Sequence, residues 1–124
     1  METVTRERVL DALCAIRCGA ADTEEALHRQ AEEALRAAGL LPEHEKRLGP
    51  RCRIDFLVGE IGIEIKKSRP QRAALLGQLL RYAQCEQIGE LIVIAPRGVD
   101  MPARIGGKRV TMLSLERLWG IWLP

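Results

Sequence analysis

The residues best suited to chemistry fall in one stretch, Arg51-Cys-Arg-Ile-Asp-Phe-Leu-Val-Gly-Glu-Ile-Gly-Ile-Glu-Ile-Lys-Lys67, which carries Asp55, Glu64 and Lys66. Two carboxylates held together suit a hard divalent cation such as Mg²⁺, which prefers carboxylate oxygens and retains waters. A lysine on the same side can orient a water beside such an ion or help deprotonate it. Whether the three meet depends on the strands that carry them. Gly59-Glu60 reads as a two-residue turn, with Gly at the first central position as a type II′ turn requires. The register then follows by counting. Val58 faces Ile61, Phe56 faces Ile63 and Ile54 faces Ile65, three apolar pairs on one face. On the other face Asp55 falls across from Glu64, and Lys66 across from Arg53. Opposed like charges in a sheet cost from a few tenths to ~1 kcal/mol, which a cation between them would offset. A solvated face of alternating charge, with Asp55 paired to Arg53 or Lys66, accounts for the same residues without a metal.

The elements around this hairpin follow from periodicity and caps. Residues 4–17 read as a first helix, with Val4, Val9, Leu10, Leu13 and Ile16 apolar. Asp22, with Glu25 three residues on, marks the start of a second. Its stripe is Leu27, Ala31, Ala34, Leu35 and Ala38, with Gly39 and Pro42 as stop signals. Strands are expected over 43–48, 51–58 and 60–67. Ser68 as N-cap and Pro70 near the first position then begin a third helix buried through Leu76, Leu79, Leu80 and Ala83. The run Leu91-Ile92-Val93-Ile94-Ala95 reads as a strand covered on both faces. A strand near 108–113 and a short helix from Ser114 complete the order α-α-β-β-β-α-β-β-α, an α/β mixed sheet with helices on both sides.

Composition sets the limits. The chain has 124 residues, 47% of them hydrophobic, enough to fill one core. No apolar run approaches the ~20 residues that span a bilayer, and no signal-peptide segment opens the chain. Cys14, Cys18, Cys52 and Cys85 show no framework spacing. Inert thiols in a reducing cytosol are the default, although Cys14 and Cys18, one turn apart on a helix, could suit a metal or a redox pair. The chain is therefore read as cytoplasmic, with no membrane partner. The net charge is +2, but residues 43–81 hold nine basic against five acidic side chains. That excess fits a phosphate-binding surface or a solvated charged face equally well.

Asp55, eight residues, then Glu64-x-Lys66 resembles the D…E-x-K signature of the PD-(D/E)xK nuclease superfamily. Gln78-Leu-Leu-Arg-Tyr82, in the helix that follows, is similar to the Q-x-x-x-Y motif of its RecB-type members. The resemblance covers roughly residues 22–96 and departs at Ile54, where the superfamily often has proline. It implies a restriction-endonuclease-like fold, one nuclease-like domain over 1–124, and Mg²⁺-dependent hydrolysis of phosphodiesters, with Mn²⁺ able to substitute. Asp55, Glu64 and the Ile65 carbonyl would hold the ion, Lys66 would orient the attacking water, and Gln78 would help place it or the phosphate. An acidic residue of the preceding helix often completes such a site. Glu24, nearest the apolar stripe, is chosen over Glu25, Glu32 and Glu33, with Glu45 a further possibility. Arg51, Arg53, Lys67, Arg69, Arg72, Arg81 and Tyr82 are the expected contacts to nucleic acid, with DNA favoured. A homodimer is expected, and Trp119 and Trp122 near the end could form its contact or cap the core. The rival readings are a nuclease-fold module that binds nucleic acid or assembles without catalysis, and an interaction module built on the two tryptophans.

Overall fold

Leu91 to Ala95 form the centre of the molecule because apolar side chains leave both faces of that strand dry. In the computed structural model, which describes residues 4–17 and 23–118 (excepting the side chains of 117 and 118), this segment is fully buried. The elements are α1 (Arg6–Leu13), α2 (Glu24–Ala37), β1 (Glu43–Gly49), β2 (Cys52–Val58), β3 (Ile61–Ile65), α3 (Arg72–Ala83), β4 (Glu90–Ala95), β5 (Arg104–Ile105), β6 (Lys108–Ser114) and α4 (Leu115–Leu118). Six strands form one mixed sheet in the order β1-β2-β3-β4-β6-β5. β1, β2 and β3 run as an antiparallel meander. α3 then supplies the crossover that a parallel β3–β4 pair needs. β4 pairs parallel with β6, and β5 closes the edge antiparallel.

Two apolar clusters fill the two faces. Val9, Leu13, Leu27, Ala31 and Leu35 of α1 and α2 pack on Phe56, Val58, Ile61, Ile63, Ile65, Ile92 and Ile94. Leu75, Leu79, Tyr82 and Ala83 of α3 pack on Ile54, Leu57, Leu91, Val93, Ile105 and Val110. Among the described residues no helix is long and apolar enough to cross a membrane.

Several elements differ from the sequence expectation. Thr23 caps α2, accepting from the Ala26 N–H. The expected cap, Asp22, lies outside the described residues, as do Cys18, Gly19, Trp119 and Trp122. α3 starts at Arg72 instead of Ser68, with the Gln71 side chain accepting from the Ala74 N–H. Pro70 explains the delay, since it holds the residue before it extended. The buried stripe of α3 is turned as well. Leu80 is 44% exposed, while Tyr82, placed on another face by the sequence, is 3% exposed. Polar partners beneath Tyr82, described below, hold that face inward. β5 is a strand the sequence reading lacks, because two residues are too few to display alternation.

Candidate active site

The hairpin forms in the expected register, but only near its turn. Phe56 pairs with Ile63, Leu57 with Gly62 and Val58 with Ile61. Gly59 has φ +62° and Glu60 is not in the positive-φ region, as a type II′ turn requires. Beyond Phe56 the expected pairs Asp55–Glu64 and Ile54–Ile65 do not form. Asp55 Oδ2 instead accepts the Ile65 backbone N–H at 2.7 Å, so a side chain takes the donor a ladder would use. The strands part there, and the alternation of β2 breaks. Ile54 turns to the α3 side, reaching to 2.6 Å from where a Cβ on Gly62 would stand, while Ile65 stays with α1 and α2.

The opening is lined by charge. Glu64 is 5% exposed. Its Oε1 accepts from the Tyr82 hydroxyl at 2.9 Å, and its Oε2 from Gln78 Nε2 at 3.1 Å and Lys66 Nζ at 3.2 Å. Lys66 Nζ also donates to Gln78 Oε1 at 2.9 Å. The Tyr82 hydroxyl lies 3.0 Å from the Arg53 carbonyl and accepts from Gln78 Nε2 at 3.1 Å. Glu64, Lys66 and Gln78 of the expected set are thus one bonded network, with Asp55 in the adjoining gap.

Burial pushes the Asp55 carboxyl up to about 6, helped by the Glu24 charge and opposed by the Ile65 N–H and Lys66. The Glu64 carboxyl is raised for the same first reason, then by Asp55 itself. Burial, then the Glu64 charge, also raises the Tyr82 phenol, which stays protonated. A buried and a half-buried carboxylate that resist ionising, with Lys66 beside them, are a site short of positive charge.

The sequence reading missed His28. It is 8% exposed on α2, one turn after Glu24. Its Nδ1 is 2.8 Å from His44 Nε2, so one N–H lies between the two rings. Its Nε2 is buried, with no hydrogen-bond partner among the described residues, 3.7 Å from Asp55 Oδ2. Burial, then His44, lowers its pKa, which keeps the ring neutral. The available signal was the four-residue spacing from Glu24 beside Leu27. Glu24 itself is exposed and lines a cleft of about 290 Å³ with Glu25, His28, Arg29, Glu32, His44 and Glu45. Glu33 is exposed and does not line that cleft.

The expected nucleic-acid contacts divide. Arg51 and Arg53, with Arg47 and Cys52, line a cleft of about 360 Å³ at the β1–β2 turn. Arg81 shares another, of about 340 Å³, with Lys66, Gln71 and Gln78. Lys67 and Arg69 are exposed in the β3–α3 connection. Arg72 Nε is engaged by the Asp100 carbonyl at 2.9 Å. Tyr82 is too buried for an outer contact, because its hydroxyl is needed by Glu64, so that expectation is corrected. A further cleft, about 490 Å³ and lined by Arg97 to Asp100, Met112, Ser114 and Glu116, contains none of these groups. Cys14, Cys52 and Cys85 are free thiols.

Compared with protein-family models, curated proteins and solved structures, the chain finds no match in any of the three.

Proposed function

We propose that the protein is a metal-dependent nuclease of the restriction-endonuclease-like PD-(D/E)xK type, hydrolysing phosphodiester bonds of nucleic acid, with DNA as the expected substrate. One observation carries the reading: half-buried Asp55 and buried Glu64, from adjacent strands, are both pushed toward protonation, beside a lysine that Gln78 holds in place. The donor set fits a divalent cation, since carboxylate oxygens are the preferred ligands of Mg²⁺ and Mn²⁺. The orphaned His28 Nε2 fits as well, because it can add a nitrogen donor or give a proton to Asp55.

Asp55, Glu64 and the Ile65 carbonyl would hold the ion, with Glu24 adding negative charge from α2. When bound, the ion supplies charge neutralisation at the phosphoryl oxygens. Lys66 donates two hydrogen bonds within the network, to Glu64 and Gln78, and its third proton is available to orient the attacking water. Gln78 fixes the lysine and the glutamate at once, and Tyr82 anchors the glutamate from below. Arg51 and Arg53 in one cleft, Arg81 in another beside Lys66 and Gln78, and the exposed Lys67 and Arg69 suit contacts to a phosphate backbone, which position a strand without reading its sequence.

The test is incubation of the purified protein with single-stranded, duplex, flapped and junction DNA and with RNA, in Mg²⁺, Mn²⁺ or EDTA. Cleavage in either metal, none in EDTA and none by Lys66→Ala is expected. Intact substrates throughout would contradict the proposal and leave a binding or assembly role.

A further inference from the structure

Beside the carboxylates stands a second group of ligating side chains, built differently. We infer that His28, His44 and Glu45 form a separate site for a borderline transition-metal ion of the Zn²⁺ class. One ligand atom from each residue lies within 4.8 Å of the others. Two imidazoles and one carboxylate favour Zn²⁺, Co²⁺ or Ni²⁺ over Mg²⁺.

Three features of the backbone and packing support the site. His44 and Glu45 are consecutive on β1, and consecutive strand residues ordinarily point to opposite faces. Glu45 departs from this with φ +51°, a left-handed conformation that non-glycine residues rarely adopt in a strand. Both side chains accordingly line the cleft that His28 borders. Phe56 then holds the rings: His44 stacks on it at 4.7 Å between centroids and an angle of 25°, and His28 packs at 5.6 Å. Finally, Nδ1 of His28 and Nε2 of His44 are 2.8 Å apart. Two nitrogens on one tetrahedral Zn²⁺ sit about 3.3 Å apart at bonds of ~2.0–2.1 Å. Replacing the shared proton by an ion therefore needs an opening of roughly half an ångström.

The orphaned nitrogen adds an independent argument. With Nδ1 on an ion, the neutral ring carries its proton on Nε2, which faces Asp55 Oδ2 at 3.7 Å. Occupation would thus turn an N–H, in place of a bare nitrogen, toward the Asp55 carboxylate. The exposed carboxylates of Glu24 and Glu25 at the cleft add attraction for a cation.

The experiment is thermal melting of the tag-free protein with and without equimolar Zn²⁺, together with the visible absorption of added Co²⁺. The wild type is expected to melt higher with Zn²⁺ and to give the strong Co²⁺ bands of a low-symmetry site. Glu45→Gly should melt higher than wild type without metal, because glycine accepts the left-handed backbone. It should also bind Zn²⁺ at least tenfold more weakly. His44→Asn should lose the shift. Glu64→Gln should keep it, separating this site from the carboxylate pair and from the nuclease reading. Cys52→Ser should keep it too, which separates the site from the thiols. A wild type without a Zn²⁺ shift, equal shifts in wild type and Glu45→Gly, or loss of the shift in Cys52→Ser would each overturn the proposal.

Discussion

The two halves of the β2–β3 hairpin are built from the same strands and obey opposite rules. Toward the turn, backbone hydrogen bonds close the ladder, and Phe56, Val58, Ile61 and Ile63 are sealed beneath α1 and α2. Toward the open end, Asp55 takes the Ile65 donor for its own carboxylate, the strands part, and Glu64 is buried among polar groups. The first half is stable because each local preference agrees with its neighbours. The second holds two carboxylates, and Asp55 raises the cost of ionising Glu64. The closed half therefore acts as the rigid support on which the open half is strained.

The contrast can be broken at several points. The largest effect is expected from Lys66→Ala, which should lower cleavage by about 10²–10⁴-fold and also lower the melting temperature, because Glu64 loses its cationic partner. Single-turnover assays beside a thermal melt would check both. Next in size is Phe56→Ala in the closed half, which should cost ~3–5 kcal/mol in a urea titration. Asp55→Asn in the open half should do the reverse in EDTA at pH 8. It keeps an acceptor for the Ile65 N–H but removes a buried charge, and a gain of about 1–2 kcal/mol is expected. If both variants destabilise alike, the two halves are not distinct.

The pH dependence has a definite sign. Burial raises the Asp55 carboxyl from its ordinary 3.8 to about 6, so between these values the folded chain keeps a proton that the unfolded chain has lost. Its contribution to stability is full below pH ~4 and fades as the pH rises through ~6. Glu64, raised as well, adds in the same direction. Urea titrations in EDTA should thus give a steeper loss of stability from pH 4.5 to 7 for wild type than for Asp55→Asn. The smallest effect is expected from Tyr82→Phe. It removes one hydroxyl from Glu64, costs ~1 kcal/mol and lowers kcat by less than Lys66→Ala does.

What the sequence revealed divides along the same line. Gly59 and the alternation from Phe56 to Ile63 were enough to fix the register near the turn, because turn geometry and apolar pattern act on the same few residues. The continuous apolar run of β4 identified the strand buried on both faces. Asp55, Glu64, Lys66, Gln78 and Glu24 were all selected, and the first four gather at the opening while Glu24 borders it. The sequence could not reveal that the pairing fails after Phe56, since Asp55 bonding to a backbone donor is a tertiary event. Nor could it place Ile54, whose side is set by the space over Gly62. The turn of α3 was misjudged because apolarity favoured Leu80, whereas Tyr82 is held inward by Glu64 and the Arg53 carbonyl. His28 is hard to recognise in the sequence because its four-residue spacing from Glu24 is common on helices, and its partner His44 is distant in sequence.

The most direct test of the central claim is the change in melting temperature on adding Mg²⁺ at pH 8. If Asp55 and Glu64 hold the ion and Lys66 does not, wild type and Lys66→Ala should both rise, while Asp55→Ala should not. No rise in wild type, or an equal rise in Asp55→Ala, would contradict the account.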